Sequence, residues 1–280
     1  MSRILFSIIV LFALLFDGMS QTPYTLTSTD VTIVNGIITS STLSNVSGGN
    51  YQPDIVIPDI LDGQLVKGIG ESTFQDKSLT SVVFPEGLTS IKKSAFATNN
   101  IIRVTWPSGL RSIESSAFRD NSLITVDLPD RVTSIGDFAF QNNRITNLTL
   151  PAGLTIIEES AFNVNFLISV DLPAGLTTIE ASAFRDNRLT SVDLPAGVKS
   201  IGFKAFLANR LSHVDLPDGL MFIGEEAFRM NSHLASFVLP KGSSVGNSVK
   251  WQASDGNVLD PGHVVLPANF GSSYRVIIQD

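Results

Sequence analysis

LTSVDLPAGVKSIGFKAFLANR, residues 189–210, is a clear copy of a unit that recurs every 22 residues. Phe96, Phe118, Phe140, Phe162, Phe184, Phe206 and Phe228 keep that spacing, and Phe74 starts the series. Five residues before each stands an Ile, from Ile69 to Ile223. From Phe96 on, an Asn follows at plus three, from Asn99 to Asn231, and prolines from Pro85 to Pro217 keep the same beat. A fixed period of this length marks a solenoid, in which each repeat is one coil stacked on its neighbours. One coil cannot bury its own apolar face, so stacking itself makes the core.

Each unit divides in two. Leu189, Val192 and Leu194 form an alternating L-x-x-V-x-L segment, a short strand that Pro195 ends because it has no N–H for the ladder. P-x-G-L makes the corner, with Gly free in φ. I-x-x-x-A-F then turns Ile and Phe to one inward face, on a second short strand or a helical turn. The Asn column reads as a ladder whose amides satisfy turn backbone in every coil. Strands about 4.8 Å apart give a sheet roughly 35–40 Å long. The fold class is a repeat solenoid of about eight 22-residue units over residues 68–240, mostly β with short helical or irregular segments.

Outward from the repeats, residues 21–67 read as an N-terminal β cap. Tyr24 to Ile38 alternates, and Asn35-Gly36 and Asp62-Gly63 are hairpin turn signals. Terminal units of a solenoid are atypical because one side faces water. From Lys241 the beat is lost, and residues 241–280 read as a C-terminal cap or small β module. At the other end, Arg3 precedes the 13-residue apolar run Ile4 to Phe16, too short for a membrane span and suited to a signal peptide over residues 1–20. No other run is long enough to span a bilayer. The expected location is therefore secreted or cell surface.

Composition narrows the chemistry. A net charge of -7 argues against nucleic acid, which is held through clustered Lys and Arg. There is no Cys, so thiolate nucleophiles, disulfides and Cys-based zinc sites are excluded. His213, His233 and His263 have no metal-ligand spacing, and the Gly residues keep repeat spacing without a phosphate-loop pattern. No catalytic residues, metal site or cofactor is expected.

The I-x-x-x-A-F and L-x-x-V-x-L-P segments resemble the BspA-like, or treponemal-type, leucine-rich repeats over about 170 residues. Two departures stand out: the family's unit is commonly one residue longer, and Cys often fills the column held here by Asn. The resemblance implies a right-handed leucine-rich-repeat superhelix on a secreted or surface-exposed protein. For some members it implies adhesion to host matrix proteins or other cells.

The outward columns of the strand face are the candidate site. One column runs Thr105, Asp127, Thr149, Asp171, Asp193, Asp215. The other, two residues earlier, includes Arg103 and His213. Three Asp in successive coils repel one another and favour a positively charged neighbour. Arg144, Arg188 and Arg210, just before the strands, offset part of that charge. The candidate partner-binding face is Arg103, Asp127, Thr149, Asp171, Asp193, His213 and Asp215, offered to a protein or glycan ligand. The expected function is a non-enzymatic binding or adhesion protein; the alternative is a structural, self-assembling surface or matrix protein.

Overall fold

The computed structural model describes residues 22–44, 52–240, 249–260, 264–266, 269 and 272–278. The leader expected at 1–20 and residues 241–248 of the expected C-terminal segment lie outside them. The repeats stack into a solenoid with two parallel ladders and a third side made of turns.

The first ladder is built on the Val column. Strands Tyr24–Thr25, Asp54–Val56, Ser81–Val83 and Arg103–Thr105 form one parallel sheet, and Thr125–Asp127 pairs with Asn147–Thr149 in register. Beyond Thr149 the strands expected around Val170, Val192 and Val214 are not formed, while the last expected one, Phe237–Val238, forms and pairs antiparallel with Val264–Val265. The ladder is reduced to a single bridge between Asp193 and Asp215. The hydrogen bonds at the start of each segment persist, as from Thr190 N–H to Ile168 C=O at 3.1 Å, so the coils stay in register.

The second ladder holds the Ile column in two-residue strands. Gly68–Ile69, Ser90–Ile91, Ser112–Ile113 and Ser134–Ile135 pair in parallel, as do Ile156–Ile157, Thr178–Ile179, Ser200–Ile201 and Phe222–Ile223. Each set ends in antiparallel strands. At the N-terminal end the hairpin Val31–Val34 and Ile37–Ser41 joins Gly68–Ile69 through its second strand. Its turn, Asn35-Gly36, has both φ positive, at 53° and 79°. That geometry matches the right-handed twist of the flanking strands. At the other end Tyr274–Ile278 runs antiparallel to Phe222–Ile223 and pairs with Val249–Ala253.

The I-x-x-x-A-F segment is not a helical turn. In every coil the residues two before and two after the Phe are left-handed, with φ between 52° and 61°, and none of them is Gly. An α-helix cannot pass through such positions. Alternate N–H groups leave the coil: Ser94, Phe96 and Thr98 donate to the carbonyls of Ser115, Ala117 and Arg119, each at 2.9 Å. Those between fold back, Ala95 to Lys92 and Ala97 to Ser94. This third side is thus itself an inter-coil ladder, and it runs unbroken where the Ile sheet divides, through Phe140 N–H to Ala161 C=O.

The core is columnar. The eight Phe rings from Phe74 to Phe228 are fully buried and stacked face to face, 5.2–5.7 Å apart and within 12° of parallel. Beneath them runs the Asn ladder. Asn165 Nδ2 donates to Phe140 C=O and Phe162 C=O at 3.0 and 3.2 Å, and its Oδ1 accepts from Ile145 N–H at 3.0 Å. The same set recurs at Asn121, Asn143, Asn187, Asn209 and Asn231. Each amide ties its coil to the one before and fills backbone groups that burial would otherwise leave unpaired.

Candidate functional site

The seven candidate residues lie on the Val-column side, and all are exposed. Alternation puts Val126 and Val214 inward and buried, so Thr125, Asp127, His213 and Asp215 face water. Arg103 and Thr105 share one strand. Asp127 stands opposite Thr149 across a parallel pair, and Asp193 beside Asp215. Asp171 keeps its place in the column outside any named strand.

His213 Nε2 lies 2.8 Å from Asp215 Oδ1, with the two side chains 73% and 91% exposed. No wall encloses the pair, and a solvated contact of this kind contributes little. Among the described residues no group of three or more His, Asp or Glu could hold a metal ion. A shallow hollow of about 480 Å³ beside Asp215 is lined by Leu194, Lys199, Leu216 and Asp218. A second, of about 150 Å³, lies in the C-terminal segment. That is below the usual size of a ligand pocket, and its carboxylate, Asp255, accepts hydrogen bonds from Asn257 N–H and Nδ2 at 3.0 and 2.8 Å.

Two features beside this face differ from the sequence reading or were missed by it. Arg144, Arg188 and Arg210 do not pair with the Asp column: among the described residues none has a carboxylate partner, and Arg188 instead sits over the Phe166 ring at 4.2 Å. Phe166 stands outside the Phe column, so the periodicity carried no sign of it. On the Ile-sheet side, Glu158 is half-buried between Asp137 and Glu180. Burial first, and then those two negative neighbours, raise its pKa above the ordinary carboxylate value.

Short coils, a buried Phe column and an Asn ladder define a leucine-rich-repeat solenoid. The chain belongs to the BspA-type leucine-rich repeat family, whose model matches residues 67–187 and 163–249 with six copies. In fold it is similar to a leucine-rich repeat protein from Bacteroides ovatus, at 24% identity and a TM-score of 0.57 over 73% of this chain; the chain spans 58% of that protein. A leucine-rich cell surface protein from Faecalibacterium prausnitzii is 24% identical, with a TM-score of 0.45 over 80% of this chain and 84% of its own. The T. pallidum leucine-rich repeat protein is 26% identical, at 0.47 over 71% and 82%. No curated protein matches the chain. Among the described residues no helix is long and apolar enough to cross a membrane.

Proposed function

We propose that this is an exported, non-enzymatic binding or adhesion protein that offers its repeat-built strand face to a protein or glycan partner at or outside the cell surface. The observation that carries the reading is the exposed polar column Asp127, Thr149, Asp171, Asp193 and Asp215, held in register by a rigid buried stack. Such a scaffold repeats one side chain at a fixed step, which suits an extended ligand better than a small substrate. Membership in the BspA-type family supports the same reading, as does the apolar run at residues 4–16 for export.

The test is binding of residues 21–280 to a panel of matrix proteins and glycans, beside a variant carrying Asp171→Asn, Asp193→Asn and Asp215→Asn. A saturable ligand that the variant holds at least several-fold more weakly is the expected result. Full retention by the variant removes the Asp column from the site. Absence of any ligand, together with oligomers that grow with concentration, would favour the self-assembling structural role instead.

A further inference from the structure

The corner between the Phe turns and the strand face carries a second stripe, distinct from the Asp column. Arg144, Phe166, Arg188 and Arg210 occupy the same position in four successive coils. Each donates its backbone N–H to the preceding coil, at 2.9–3.0 Å, to Leu123, Ile145, Leu167 and Leu189 in turn. The four side chains are therefore in register along the solenoid axis, and all four are exposed. Arg119, Arg185 and Arg229 on a nearby column are taken by Asp120, Asp186 and Glu226. Arg144, Arg188 and Arg210 have no such partner among the described residues. Asp186, two residues before Arg188, is already held by Arg185 Nε at 3.0 Å.

In the coil of Phe166 the stripe is apolar as well as aromatic. Val164, Phe166 and Ile168 are all open to solvent, Ile168 at 55%. The Arg188 guanidinium lies over the Phe166 ring, which fixes its plane and leaves its N–H edges free to donate. An arginine fork, an exposed ring and a second and third arginine at fixed intervals form a linear site for a polymer that is both anionic and ring-built.

We propose that this stripe binds an acidic polysaccharide, a chain of carboxylate-bearing sugars lying along the solenoid axis. This goes beyond the binding reading above: it is a second site, on different residues and for a ligand of the opposite charge preference. The exposed ring favours a sugar chain over an acidic peptide: carboxylates pair with Arg144, Arg188 and Arg210, and a sugar packs its C–H face against the exposed part of the Phe166 ring, a contact that Asp and Glu side chains do not offer. The parallel Asp column five residues on repels a polyanion from the strand face and confines it to the corner.

The test is retention of the full mature chain on immobilised polygalacturonate, with neutral dextran as the control polymer. Wild type should bind polygalacturonate in preference to dextran, and the affinity should fall as salt rises. The variant Arg144→Gln, Arg188→Gln, Arg210→Gln should bind about tenfold or more weakly. Phe166→Ala should also weaken binding, with less change in the salt dependence. The four side chains are exposed, so thermal melts of all variants should match wild type; if the triple variant does not fold, Arg188→Gln alone serves. Equal retention on dextran, no retention on polygalacturonate, or full retention by the arginine variants would each overturn the proposal. Loss in the Asp171, Asp193, Asp215 variant with no loss in the arginine variant would also overturn it, while leaving the strand-face reading standing.

Discussion

Val164 is the residue least suited to its backbone. It sits two after Phe162 with φ at 56°, where the equivalent positions hold Asp76, Thr98, Asp120, Asn142, Asp186, Ala208 and Met230. A left-handed conformation costs an ordinary L-residue about 1–2 kcal/mol because Cβ crowds the following carbonyl, and β-branching worsens the fit. Asn and Asp relieve this with local hydrogen bonds, which explains why polar residues fill most of the column. The side chain of Val164 is exposed, so little burial offsets its strain. Val164→Asn should raise stability by about 1 kcal/mol. Chemical denaturation at constant slope would measure it; an unchanged or lowered midpoint would mean that the backbone here relaxes when the ring of Phe162 packs.

Among the elements, the Ile-side corner has the tightest spacing and the least favourable charge. Gly70, Gly136, Gly202 and Gly224 follow their Ile at the position where the other coils carry Lys92, Glu114, Glu158 and Glu180. A Cβ on Gly224 would come within 2.4 Å of Phe203 N, so at this coil backbone approaches backbone and only Gly fits. Glu114 is answered by Lys92 at 2.7 Å. Glu158 has no such partner among the described residues, and its partial burial, then Asp137 and Glu180 beside it, hold its folded pKa above the unfolded value near 4.5. Below that value both states hold the proton and the position costs nothing. As pH rises, the unfolded chain loses its proton first, and the penalty on the folded state is complete above the folded pKa. Glu158→Gln should therefore raise the melting temperature at about pH 7 and leave it unchanged at about pH 3. A gain of equal size at both pH values would assign the effect to packing instead.

These elements also mark how far sequence reasoning reaches. The Phe, Ile, Val and Asn columns were legible because one residue type at one period reports one environment, and the amide ladder follows from that. The left-handed turns were not, because Ser, Lys, Glu and Ala at those columns give no sign of positive φ. The fading of the strand ladder after Thr149 was hidden for the opposite reason: Val170, Val192 and Val214 continue the pattern unchanged and stay buried without pairing as strands. The face with Asp127 to Asp215 could be read from alternation alone. Arg144, Arg188 and Arg210 were legible as residues beside that face, where their charge reads as offsetting that of Asp, and Phe166 was missed because it breaks the residue type at their shared position.

At the scale of the whole molecule the protein is close to one-dimensional. Each coil touches only its neighbours, so stability is a sum of coil and interface contributions, and a lesion acts according to where it falls. Phe162 stacks on Phe140 at 5.6 Å and Phe184 at 5.7 Å, in the middle of the column. It lies in the coil just past the break in the Ile sheet, where the turn ladder, the core and the paired strands Thr125–Asp127 and Asn147–Thr149 carry the connection. Phe74 stacks on Phe96 at 5.2 Å and begins the column. At the other end the column closes on a different device: Phe228 meets Phe237 at 5.3 Å, and Phe237 meets Tyr274 edge-on at 6.2 Å. Removing a buried Phe side chain costs about 3–5 kcal/mol wherever it is. At Phe162 that loss is taken from two interfaces that each lack one ladder, the Ile strands on one side and the Val strands on the other, so Phe162→Ala should uncouple the two halves as well as lower the melting temperature. Calorimetry should then show a calorimetric enthalpy larger than the van't Hoff enthalpy, the sign of more than one unit melting. Phe74→Ala should lower the transition and keep it single. A single sharp transition in both variants would mean that the turn ladder, not the ring column, is what makes the stack cooperative.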